Sequence, residues 1–129
     1  MIEVAMVFDL KGQVIHFHTP PGRTGDSIPD TRSLWEVLWE NRDRLGGTAH
    51  THPWSGSPCP SMVDVTTFRA TEKGLGKCLL WLVVTFDQVG YWRWNEDAKD
   101  YYKLNGDQCT PEIQGIEKLR ELSRGEGDG

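Results

Sequence analysis

Apolar residues recur along this chain in two rhythms, one of period two and one of the helical period, and their alternation sets the expected elements. From Ile2 to His18 apolar positions dominate on both sides of "DLKGQ", where Asp9 and Gly12 suit a turn. "IEVAMVF" and "QVIHFH" are therefore expected to form a β-hairpin. Thr19 to Pro29 reads as a loop. "DTRSLWEVLWENRDRLGG" then places Leu34, Val37, Leu38 and Leu45 at helical spacing, with a Ser33-x-x-Glu36 capping box near its start and Gly46 as its stop. "GTAHTH" reads as a short strand. "PWSGSPCP", with three prolines in eight residues, must be loop.

Ser61 is placed to cap the next helix, "SMVDVTTFRATEKG", which is expected to end at Gly74. "KCLLWLVVTF" reads as a buried strand, joined by a turn over Asp87–Gly90 to "YWRWN", and "DYYKLNG" as a further short strand. The last helix is expected to start at "TPE", with Thr110 as cap and Pro111 in the first helical position, turning Ile113, Ile116, Leu119 and Leu122 inward. The order β-β-α-β-α-β-β-β-α predicts one α/β domain over residues 1–122, a mixed sheet flanked by helices, with 123–129 a flexible polar tail.

Composition narrows the classes. A chain of 129 residues with 37% hydrophobic content suits one globular domain. No long apolar run and no signal-peptide pattern is visible, which predicts a soluble, cytoplasmic protein without a membrane partner. Cys59, Cys78 and Cys109 are odd in number and form no CxxC pair, so reduced thiols are expected rather than a disulfide framework or a thiolate zinc knuckle. The formal charge of -5, with no cluster of Lys and Arg, argues against nucleic acid as the main partner.

The chemistry is concentrated in "GTAHTHPWSGSPCPSMVD". Residues two apart on a strand face one side, so His50 and His52 can aim both imidazoles at one point while Thr51 faces away. After the proline loop, Asp64 follows the capping Ser61 by three residues and can bring a carboxylate oxygen to the same point. Two imidazoles, one carboxylate and an open position make a catalytic rather than a structural zinc site. Each residue also has a plain reading: a hydrogen-bonded histidine, or an aspartate that compensates a helix dipole. His16 and His18 repeat the HxH spacing, but no carboxylate follows them within a loop and helix. Cys59 lies between two prolines in the loop and is not counted among the ligands.

In "HTHPWSGSPCPSMVD" the residues His50, Thr51, His52, Pro53, Ser61 and Asp64 resemble the signature of the JAMM/MPN zinc metalloprotease family, isopeptidases that cleave ubiquitin and ubiquitin-like proteins from conjugates. The order of elements from Met1 to about Leu104 is similar as well. The interval from His52 to Ser61 is one residue longer than the usual family spacing, an insertion that the loop absorbs and that leaves Ser57 and Ser55 as alternatives to Ser61. The chain also begins at the strand that a helix precedes in the family.

The resemblance implies an MPN-like (cytidine-deaminase-like) fold and a Zn2+ ion on His50, His52 and Asp64. It implies Ser61 as an oxyanion donor and a glutamate on an early strand as the proton carrier. Glu3, the acidic residue in "IEVAMVF", takes that role ahead of Glu36 and Glu40, which sit four apart on a helix as a solvated face. A ubiquitin-like protein or its conjugate is the implied partner. A phage-tail or cell-wall peptide metallopeptidase and a non-catalytic MPN scaffold are the alternatives. Trp54, beside the site in a loop expected to be mobile, is the candidate to touch substrate.

Overall fold

A computed structural model describes residues 2–19, 32–105 and 112–125. Their elements are β1 (Ala5–Asp9), β2 (Val14–His18), α1 (Arg32–Glu40), β3 (Leu45–Thr51), α2 (Met62–Leu75), β4 (Leu80–Val84), β5 (Val89–Asn95), β6 (Asp100–Leu104) and α3 (Ile116–Arg124). The strands form one mixed six-stranded sheet in the order β2-β1-β3-β4-β5-β6. All neighbours are antiparallel except β3 and β4, which run parallel with α2 as their crossover. Among the described residues no helix is long and apolar enough to cross a membrane.

Strand alternation splits the core in two. Met6 and Phe8 of β1, Ala49 of β3, and Leu80, Leu82 and Val84 of β4 pack with Leu119 of α3 on one face. Val7, Leu45 and Trp81 pack on the other face with Leu38 of α1 and Phe68 of α2. Helices thus cover both sides of the sheet. Each fully buried side chain such as Phe8, Leu82 or Leu119 contributes on the order of 1.5–3 kcal/mol by leaving water. Ile113, Ile116 and Leu122 join Leu119 against that core, so the inward stripe of the last helix is as expected.

The first hairpin also forms as expected. Asp9 Oδ1 accepts the backbone N–H groups of Lys11 and Gln13 at 2.8 and 3.0 Å, and Gly12 takes a left-handed φ of 81°. Several boundaries differ. The helix expected to reach Gly46 ends at Glu40, because Leu45 pairs with Asp9 as the first residue of β3. Its helical spacing is a coincidence that the sheet overrides. Ser33 lies inside the first turn of α1 rather than at its cap. Helix α2 runs through Gly74 and stops at Gly76, whose φ of 74° allows its N–H to close on Glu72 O at 2.8 Å. The β4–β5 turn spans Thr85–Gln88, so Val89 and Gly90 already belong to β5.

The last helix begins at Ile116, after Gly115 with a φ of 86°, whereas Thr110 and Pro111 lie outside the described residues, as do Cys109, most of the Thr19–Pro29 loop and residues 126–129. Helix α3 continues to Arg124, two residues past the expected boundary at Leu122, with Ser123 fully buried.

Candidate metal centre

In open sheets the carboxyl ends of parallel strands, beside the following helix N-termini, are where binding sites assemble. β3 ends in this way at His50 and Thr51, with His52 just past it and α2 beginning beyond the loop. Gly47 lets β3 enter the sheet closely: a Cβ there would stand 1.8 Å from Leu80 O and 2.8 Å from the Phe8 ring. That explains the glycine-led approach to the histidines. β1 is antiparallel to β3, so its start, two residues after Glu3, lies at the same end of the sheet.

Asp64 arrives by a capping box. Ser61 is the N-cap of α2: its Oγ accepts the Asp64 N–H at 3.0 Å, and its own N–H donates to Asp64 Oδ2 at 2.8 Å. The Ser-x-x-Asp spacing is therefore a local folding unit that fixes one carboxylate oxygen in space. The same Oδ2 stands 3.1 Å from His50 Nε2 and 3.1 Å from His52 Nε2, and the two nitrogens are 3.3 Å apart. Both histidines are buried and Asp64 is half-buried. Burial pushes the Asp64 carboxyl up, but hydrogen bonds from His50 and His52, the charge of His50 and the Ser61 N–H outweigh it. Asp64 is held well below the usual carboxylate range and is ionised.

These separations test whether a metal ion fits. Tetrahedral ligands each about 2.0–2.1 Å from a zinc-like ion lie roughly 3.3 Å from one another. The three edges, 3.1, 3.1 and 3.3 Å, are close to that length, and two nitrogens with one anionic oxygen are a donor set suited to a divalent transition metal. Among the described residues no other group of three metal-ligating side chains converges in this way. His16 and His18, with ring centroids 5.7 Å apart on β2, do not belong to such a group among the described residues. Cys59 is an exposed free thiol near Ser57 Oγ and is not part of the group.

A cavity of about 320 Å³ opens onto the centre, lined by Glu3, His52, Trp54, Ser57, Cys59, Ser61 and Asp64. Glu3, His52, Trp54, Ser61 and Asp64 thus share one cavity, and His50 joins them through its contacts with His52 and Asp64. Glu3 is buried, whereas Glu36 and Glu40 are exposed on α1. Ser57 shares the wall with Ser61, but Ser61 holds the cap. The Trp54 indole is half-exposed and tilts against the His52 ring, with centroids 4.7 Å apart.

The loop from Pro53 to Pro60, expected to be mobile, is pinned at four backbone groups. Trp54 O accepts from Phe86 N at 3.0 Å, Gly56 N donates to Asp87 Oδ1 at 2.9 Å, Gly56 O accepts from Thr85 Oγ1 at 2.9 Å, and Pro58 O accepts from Trp92 Nε1 at 3.1 Å. Gly56 has a φ of 122°, which a side chain rarely adopts. Thr85, Asp87 and Trp92 were not apparent from sequence, because their partners are backbone atoms some thirty residues distant.

Comparison of the chain with protein-family models gives no match, and comparison with curated proteins gives none.

Proposed function

We propose that this chain is a zinc-dependent amide hydrolase of the JAMM/MPN type, cleaving the bond that follows the glycine-ending tail of a ubiquitin-like protein. The convergence of His50 Nε2, His52 Nε2 and Asp64 Oδ2 at tetrahedral-edge spacing supports it most directly. A zinc ion held by these three residues would supply Lewis acidity to water and to a carbonyl oxygen. Glu3, buried on the wall of the same cavity, carries a proton at its carboxylate from the attacking water to the departing amine nitrogen. The Ser61 hydroxyl accepts from the Asp64 N–H and keeps its own hydrogen to donate to the carbonyl oxygen as negative charge grows there. Water adds to the carbonyl carbon, the C–N bond breaks, and acid and amine leave.

A cavity of about 320 Å³ admits an extended chain and leaves any folded domain outside. A tail without β-carbons approaches such a centre most closely, and the attached domain supplies binding energy from the surface. Trp54 forms one wall for that tail. Zinc-loaded protein incubated with ubiquitin-like fusions and with cell-wall stem peptides, with products weighed by mass spectrometry, tests the proposal. Cleavage after the glycine tail is expected. Cleavage of stem peptides alone would favour the phage-type peptidase, and no cleavage by zinc-loaded protein would favour the scaffold.

A further inference from the structure

Between the two histidine ligands sits a residue that faces away from them, and it holds the opposite side of the site. Thr51 is 1% exposed, and its Oγ1 accepts the backbone N–H of Val4 at 3.0 Å, while its own N–H donates to Val4 O at 2.9 Å. From the same side of the sheet, where α3 packs, comes Ser123, which is 0% exposed. Its Oγ donates to Ile2 O at 2.6 Å, and its O accepts Ile2 N at 2.8 Å. Ile2 and Val4 are the two neighbours of Glu3. All four of their backbone polar groups are thus tied down, two of them by buried hydroxyls.

The tie has a direction. In the β1–β3 ladder Ala5 pairs with His50, and the same register continued outward sets Val4 opposite Thr51 and Glu3 opposite His52. The Val4 N–H is bonded to the Thr51 side chain, so this outermost part of the pairing depends on a hydroxyl group. Hydrophobic burial alone would be served equally well by Val at position 51 and Ala at position 123. We propose that Thr51 and Ser123 are positioning residues that fix the Glu3 carboxylate opposite His52, through the backbone of Ile2 and Val4. It rests on the assignment of Glu3 as the proton carrier.

A displaced base loses rate steeply, since an error of about 1 Å costs on the order of 100-fold. Thr51→Val keeps shape and burial but deletes the acceptor, and Thr51→Ser restores it. Amide hydrogen exchange of the chelator-stripped protein, which needs neither metal nor substrate, is the first reading. Faster exchange at Val4 is expected in Thr51→Val, with Ala5–Asp9 protected as before and one zinc still bound on reconstitution. Turnover of a ubiquitin-like domain whose Gly-Gly tail carries an aminocoumarin amide is the second. A roughly 10- to 100-fold fall in kcat with little change in KM, rescued by Thr51→Ser, is expected.

Unchanged Val4 exchange in Thr51→Val overturns the proposal, and so does full kcat in that variant while Glu3→Gln is inactive. Should Thr51→Val fail to fold, Ser123→Ala, which deletes the donor to Ile2 O but keeps the carbonyl that holds the Ile2 N–H, decides by turnover: the same fall in kcat is expected, and full kcat overturns the proposal. Wild-type turnover in Glu3→Gln would instead remove the assignment of the base. That result is separate from the exchange reading.

Discussion

Asp64 Oδ2 meets His52 Nε2 at 3.1 Å while it accepts the Ser61 N–H at 2.8 Å, so one oxygen atom both completes a helix capping box and faces imidazole nitrogens that could hold a metal ion with it. The carboxylate would not have to be ordered on binding an ion. The fold has already oriented it, and that preorganisation is what a ligand set needs from its surroundings.

Ser61→Ala removes one arm of the capping box and should cost about 1 kcal/mol of folding stability, in the range found for lost N-caps. Its effect on turnover should be larger than that loss can explain, because Ser61 also lines the cavity. Urea unfolding beside steady-state kinetics separates the two effects. A stability change with wild-type turnover would restrict Ser61 to the cap.

Glu3→Gln should leave zinc content and thermal unfolding unchanged and lower kcat by roughly 100-fold or more, as expected for loss of a general base. Glu36→Gln and Glu40→Gln, at exposed positions of α1, should be silent. Parallel kinetics on the three variants check this.

Glu72 is a buried carboxylate that accepts from the Leu79 N–H at 2.7 Å, Trp81 Nε1 at 3.0 Å and the Tyr101 hydroxyl. Glu72→Ala leaves three buried donors without their acceptor and should destabilise the fold by about 3–5 kcal/mol. The urea midpoint should fall with little change in slope.

The same cluster gives an alkaline limit. Burial, and then the hydrogen bond to Glu72 and its charge, raise the Tyr101 hydroxyl well above its ordinary value. A group whose folded pKa is raised contributes stability in full below its unfolded pKa and loses it as pH climbs toward the folded one. Stability should therefore decline above about pH 10, where unfolded tyrosine ionises. Tyr101→Phe should flatten that part of the decline, as read by urea midpoints across alkaline pH.

Much of this was legible in the sequence because it is local. The HxH pair needs only strand alternation, and Ser61 and Asp64 only a helix cap, so both appear in the chain as short patterns. Leu45 misled because four residues at helical spacing do not reveal that the fourth is paired with Asp9 in the sheet. Glu72 carried a signal of its own: it lies at helical spacing from Val65 and Phe68 on the buried face of α2, where a charged residue calls for partners. Those partners come from β4 and β6, and Ser123 reaches Ile2 from the other end of the chain. Pairings at such sequence distance are set by tertiary packing and leave no local pattern to read.

Titration of zinc into the chelator-stripped protein, followed by calorimetry and by metal analysis of the recovered protein, addresses the centre itself. One equivalent should bind to the wild-type chain, and binding should be lost in a His50→Ala, His52→Ala double variant that remains folded. No zinc bound by the wild type, or an equivalent bound undiminished by the double variant, would contradict a metal centre formed by His50, His52 and Asp64.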